Sequence, residues 1–273
     1  MCIMYRIWFF LLVIFLPGCS TPNSSEEGKE REMAFKNHIK KITEFKTILN
    51  LGGIWLKEQV HREKFFDKNG FKFKEITHYD DGSIENIISL QYDKNGNLIF
   101  RKAVNPDSSV SYSDKRVFDE HNNKIEYYFY NPDSTLLYRK PAVYDKEGKM
   151  IESRMYHDGE WKATYKYKYQ DARMTENNIY DSTGNFKHKW LYVYDNRNNL
   201  IEEVQYNSQN YISYQNKYEY TKDNFLIKET NYVGEEVQRS FSYKYNGKNL
   251  MEIKNEYVYG RLNSKFRYEY DYY

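Results

Sequence analysis

Cysteine is almost missing from this chain. Two occur among 273 residues, Cys2 and Cys19, both at the extreme N-terminus. The remainder therefore has no disulfide framework and no thiolate metal site. Charge of one sign is missing too. The formal net charge is +2, and lysines and glutamates are interspersed, which argues against the basic stripe that nucleic acid needs. The run Tyr165-Lys166-Tyr167-Lys168-Tyr169 could pass for a base-stacking platform, but in a strand its tyrosines and lysines project to opposite faces. Catalytic signatures are also absent: there is no Gly-x-Ser-x-Gly elbow and no phosphate-cradling glycine loop. The six histidines (His38, His61, His78, His121, His157, His188) lack the paired His/Glu spacing of a zinc site. No catalytic residue, metal or cofactor is assigned, and the chain reads as a non-enzyme.

Long apolar runs are missing with one exception, Ile7 to Leu16, ten residues behind a short segment carrying Arg6. That is too short to span a bilayer and matches a secretory h-region. The stretch Leu16-Pro17-Gly18-Cys19-Ser20 resembles a bacterial lipobox, with leucine at −3, glycine at −1 and cysteine at +1. The resemblance implies a signal peptide over 1–18, a diacylglyceryl group on the Cys19 sulfur and palmitate-type acylation of the new amino group. Buried acyl chains at ~0.8 kcal/mol per CH2 would then anchor the chain without a spanning helix. Ser20, rather than aspartate, follows the cysteine, which points to the outer membrane, on its periplasmic or its external side. Residues 19–38 read as a flexible tether, since Ser20 to Gly28 holds no apolar residue. A short helix or irregular segment runs to about His38, and a first strand follows.

What is abundant is tyrosine. It supplies 30 residues, and aromatics make up 18 % of the chain, a usage suited to strands. The strongly polar mean hydropathy, −0.93, would suggest disorder, but disordered chains are poor in aromatics. A sheet with one charged and one aromatic face satisfies both observations. The aromatics also recur at a fixed interval. Phe66, Tyr92, Phe118, Tyr144, Tyr169, Tyr194, Tyr220, Tyr245 and Tyr270 stand 25 or 26 residues apart, the mark of a repeat array. A Gly- or Asn-rich turn follows most of them, and a second turn falls midway, as at Tyr79-Asp80-Asp81-Gly82 and Asn131-Pro132-Asp133-Ser134. Strands of eight to ten residues joined by hairpins result. The fold expected over 39–273 is all-β: a long antiparallel meander of about 16 strands, coiled or rolled as a single sheet, because a flat sheet of that width is not sustained.

The motif Tyr-x-Tyr-Asp-x-x-Gly-Asn-Leu is similar to the YD repeat of Rhs-type proteins, whose strands wind into a shell around a toxin cargo. Gln91-Tyr92-Asp93-Lys94-Asn95-Gly96-Asn97-Leu98 and Val143-Tyr144-Asp145-Lys146-Glu147-Gly148-Lys149-Met150 carry the likeness best. Gln170 and Thr221 replace the aspartate in two copies, and the array is too short to enclose a cargo. The resemblance implies a free-standing repeat lipoprotein of a kind associated with Bacteroidetes-like bacteria.

The turn aspartates Asp67, Asp93, Asp119, Asp145 and Asp195, three of which share their turns with Gly70, Gly96 and Gly148, could be imagined as a carboxylate ladder binding cations. Equivalent turns stand two strands apart, about 9.6 Å, whereas calcium ligands lie at ~2.4 Å from the ion. They are read as structural, closing Asx-type turns. Function is then expected to be that of an outer-membrane-tethered module, binding or structural, for protein or glycan. The membrane is its partner through Cys19, and no nucleic acid is involved. Two alternatives remain: a toxin-neutralising, immunity-type partner suggested by the Rhs likeness, and an integral outer-membrane β-barrel suggested by the strand alternation.

Overall fold

The computed structural model describes residues 26–50 and 52–273. The leader, the lipobox and Cys19 lie outside the described residues. Among the described residues α1 (Glu26–Lys36) comes first, and every later element is a strand. These begin with β1 (Ile39–Ile48), β2 (Gln59–Phe66), β3 (Lys72–His78), β4 (Ile84–Tyr92), β5 (Leu98–Val104) and β6 (Val110–Phe118). Next come β7 (Lys124–Tyr130), β8 (Leu136–Tyr144), β9 (Met150–His157), β10 (Glu160–Gln170), β11 (Arg173–Asp181) and β12 (Phe186–Tyr194). The last six are β13 (Leu200–Asn207), β14 (Ile212–Tyr220), β15 (Leu226–Val233), β16 (Glu236–Tyr245), β17 (Met251–Val258) and β18 (Arg261–Tyr272).

Every strand pairs antiparallel with its chain neighbours, and β1 pairs with both β2 and β18. The sheet therefore closes on itself as an 18-strand barrel. This corrects the expectation of a coiled or rolled meander of about 16 strands: the count is 18, and the sheet is closed. Antiparallel geometry lets an even number of strands close without mismatch, and closure removes the two edges that would otherwise stay unpaired. The perimeter across 18 strands is roughly 86 Å at ~4.8 Å per strand. Barrels of eight strands fill with side chains, whereas those of 16 to 18 keep an open lumen.

The hairpin turns fall on two rims. The turn after β4 shows the common form: Asp93 N donates to Asn97 O and Gly96 N to Asp93 O, both at 3.0 Å. The fourth turn position is left-handed, filled by Gly70, Gly96 and Gly148 and elsewhere by Asn122, Asn198, Asn224 or Asn249. Asp93 Oδ1 accepts the N–H groups of Asn95 and Asn97 at 2.9 Å. Asp67, Asp145 and Asp195 repeat that arrangement, and in copies without the acid Thr221 Oγ1 or Asn246 Oδ1 substitutes. The turn aspartates are thus closing their own hairpins.

The aromatic face turns inward. Lys166, Lys168, Lys217, Glu219, Lys244 and Glu269 are exposed, while Tyr167 is buried and Tyr165, Tyr218, Tyr220, Tyr243, Tyr245, Tyr268 and Tyr270 are half-buried. Half-burial over most of the inner face is what a lined lumen gives, in contrast to a filled core. Among the described residues, two small apolar clusters form. One joins Met150, Tyr167 and Met174 on the wall. The other joins Ala34 of α1 to Ile39, Ile42, Phe66 and Leu250.

From Glu26 onward, the segment expected to serve as tether is therefore a helix packed onto the barrel. Acids at its start and Lys36 in its last turn suit the helix dipole, and it ends where His38 adopts a left-handed φ of 53°. Its seat is close. A Cβ on Gly70 would meet the carbonyl oxygen of Arg31 and would lie 2.8 Å from Phe35 N. The opposite rim carries exposed apolar groups instead, among them Ile54, Trp55, Tyr79, Trp161, Tyr211 and Tyr259.

Candidate binding lumen and its helix-lined mouth

Tyrosine hydroxyls organise the inner wall. Tyr92 donates to Lys72 O, Tyr144 to Lys124 O, Tyr194 to Met174 O, Tyr220 to Leu200 O and Tyr245 to Leu226 O, all at 2.9–3.0 Å. Each acceptor lies in the preceding repeat. The residue before the turn thus needs both a ring for the inner face and a hydroxyl for its neighbour, which only tyrosine offers. At the seam, the Tyr273 hydroxyl donates to Phe66 O.

The wall is charged between these rings, and unevenly. On β2 to β8 the inner groups are mostly basic. Glu30 of α1 accepts from Lys64 at 2.6 Å and meets Lys72 at 3.1 Å. Burial alone would raise the Glu30 carboxyl, but the two lysines outweigh it and hold it below its ordinary range. Asp114, fully buried, takes Arg101 as partner and lies 3.4 Å from Arg116. Arg116 also stands 3.4 Å from Glu27. Two lysines are left over. Lys140 Nζ is buried without a hydrogen-bond partner and sits 3.9 Å from the centre of the Tyr165 ring. Burial, then the charge of Lys124, pushes it down to about 7. Lys124 is pushed down to about 8 by burial and then by Arg116.

On β13 to β15 the inner groups are acidic and amidic. Glu203 Oε2 accepts from Asn216 Nδ2 at 3.0 Å and from the Tyr218 hydroxyl at 2.9 Å. Asn231 Nδ2 donates to Asn216 Oδ1 at 2.9 Å and to Glu229 Oε1 at 3.0 Å, and the Tyr243 hydroxyl donates to Glu229 Oε2 at 3.1 Å. Burial raises the Glu203 carboxyl above its ordinary range, and the Glu229 charge adds to it against the hydrogen bonds of Asn216 and Tyr218. The lumen therefore has a basic and an acidic side. Such a wall can orient a polar ligand by charge while tyrosine rings present flat surfaces to it.

Beside α1, the basic side opens into a cavity of about 880 Å³. Arg116, Lys124 and Lys72 line it together with Tyr92 and Tyr144. The turn residues singled out in the sequence divide here. Gly96, Asp145 and Gly148 border the cavity, Gly70 supports α1, and Asp195 lies farther round the same rim. Among the described residues, no group of three His, Asp or Glu side chains converges to hold a metal ion. Sequence reasoning missed Lys124, Lys140, Asp114, Glu203 and Glu229. The one signal for them was a charged or amidic residue at an inward position of an otherwise aromatic alternation.

No known protein family matches this sequence, and no curated protein does. Solved structures resemble it loosely. A TcdB2-TccC3-Cdc42 crystal structure aligns over 81 % of this chain and 14 % of its own, at 13 % identity and a TM-score of 0.40. A porin-like protein from Bacteroides uniformis aligns over 86 % of this chain and 97 % of its own, at 7 % identity and a TM-score of 0.44. A porin-like protein from Bacteroides vulgatus covers 86 % and 99 %, at 14 % identity and a TM-score of 0.32. Likeness at this level carries no argument about what the chain does.

Proposed function

We propose that this protein is a cell-envelope lipoprotein, anchored in the outer membrane through Cys19, whose barrel is a binding chamber for a glycan or protein segment. One observation carries the reading. The outer wall is charged and the inner wall combines tyrosine hydroxyls with ionic groups, so recognition chemistry is concentrated inside. The anchor rests on the lipobox-like stretch alone. The helix end of the barrel would then face the membrane, because α1 begins seven residues after Cys19. Metabolic labelling with a fatty-acid analogue tests the anchor. The expected result is label on the wild type and none on Cys19→Ala; an unlabelled wild type, or label surviving the substitution, would sink it.

Closure into an even-numbered antiparallel ring favours a second reading, an integral outer-membrane barrel. Weighing against it is the outer face, where Lys166, Lys168, Lys217 and Lys244 are exposed. A lysine facing lipid near the bilayer midplane costs about 2–4 kcal/mol. Carbonate washing of membranes separates the two readings. A Cys19→Ala protein released into the supernatant fits the tethered chamber, and one retained in the pellet fits the integral barrel.

A further inference from the structure

We propose that the cavity beside α1 is an oxyanion-binding site, built by Lys124, Lys140 and Arg116, for a carboxylate- or phosphate-bearing ligand. At the rim the cavity lining carries Asp119, Asp145 and Glu147 beside Lys146 and Lys149, but deeper in the wall the buried charges do not balance. Glu30 is committed to Lys64 and Lys72, and Asp114 to Arg101 and Arg116. Glu27 stands 3.4 Å from Arg116 and its side chain is 42 % exposed; it and Asp114 act on Lys124 only as more distant charges. Among the described residues, no carboxylate pairs with Lys124 or Lys140. A buried, unpaired ammonium is a standing cost unless an anion meets it.

Placement fits that use. Lys124 and Arg116 line the cavity directly. Lys140, Ala142 and Tyr144 share the inner face of β8, and Tyr144 borders the cavity. Lys140 stands behind the lining, against the Tyr165 ring, where the charge of Lys124 already acts on it; in the proposed site its ammonium turns about the side-chain bonds toward an anion held by Lys124. An arriving oxyanion would draw a proton onto each lysine and accept charge-assisted hydrogen bonds from both, with Arg116 as a third donor. Tyr92 and Tyr144 are placed to flank whatever body carries the anionic group. The site depends on the lumen being a binding chamber but not on the anchor, so a protein without acyl label leaves it standing.

Isothermal titration of the full-length chain at fixed ionic strength is the test, with inorganic phosphate and glucuronate as probes and glucose as the uncharged control. One or both oxyanions should bind and glucose should not. Phosphate alone would indicate a free or esterified phosphate, and glucuronate alone a sugar carboxylate. The Lys124→Met/Lys140→Met pair should weaken binding by about tenfold or more, the loss of a charge-assisted hydrogen bond, and Lys140→Arg should retain it. Absence of binding by both oxyanions, or equal binding to the double variant, would overturn the site. Should the double variant fail to fold, side-chain amine signals of 15N-lysine wild type decide, assigned with Lys140→Arg and Lys124→Arg. Phosphate and glucuronate leaving the signals of Lys124 and Lys140 unmoved would equally overturn it.

Discussion

Tyrosine and glycine carry the two most exacting residue-level roles. The repeat tyrosines pin each hairpin to the one before it, and Gly70 lets the helix backbone rest directly on a turn. Not all left-handed glycines are equal in this respect. A Cβ on Gly159 would meet nothing within 4 Å, so Gly159→Ala should cost only the left-handed backbone strain, about 1–2 kcal/mol. Gly70→Ala adds a collision with the helix backbone and should cost at least twice as much, with α1 lifted from the rim. Thermal unfolding of the two variants side by side checks this; equal shifts would mean that α1 does not bear on Gly70. Glu203 supplies a pH signature. Its folded value is raised, so its contribution to stability is complete below the ordinary carboxyl range and is lost as pH rises through that raised value. Glu203→Gln should therefore gain in melting temperature over wild type as pH is taken from 5 to 8. A constant difference would contradict the burial argument.

At the scale of elements, the central question is what α1 does. It is short, and burial of Ala34 with the Glu30 contacts to Lys64 and Lys72 must hold it, because isolated helices of this length are marginal. Glu30→Ala should cost about 1–3 kcal/mol, the value of charge-linked hydrogen bonds lost, and should raise amide exchange in Glu26–Lys36 ahead of the strands. Exchange rising uniformly across the molecule would show instead that helix and barrel are one cooperative unit. Much of this element level was legible beforehand. The 25-residue period located the hairpins, and the alternation of Tyr165, Tyr167 and Tyr169 with Lys166 and Lys168 gave the inner and outer faces. Two things were not legible. Ring closure depends on β1 meeting β18, a pairing of Ile42 with Tyr270 that no local pattern encodes. The seat of α1 was hidden because its contacts, such as Glu27 to Arg116, span 89 positions. The lysines of the proposed site were hidden similarly: Lys124 and Lys140 sit on different strands, and only their shared burial distinguishes them from surface lysines.

For the whole molecule, closure makes the position of the termini nearly arbitrary. Tyr273 N donates to His38 O at 2.9 Å, so the strand region begins and ends at one place. A circular permutant joining Tyr273 to Ile39 through a short linker and opened between Asp158 and Gly159 would lack α1 but retain every strand pairing. It should give a monomer with the wild-type far-ultraviolet spectrum. A chain stopped at Gly260 should not, since β1 and β17 would each keep a free edge; size-exclusion chromatography should find it aggregated.

The seam also sets an order of events. Of the barrel strands β1 is made first and β18 last, so the ring cannot close until β18 has been synthesised. Until then the growing sheet carries an open edge at each end, and closing so large a loop is intrinsically slow. A prematurely terminated chain would betray itself to proteases by the edge it cannot cover.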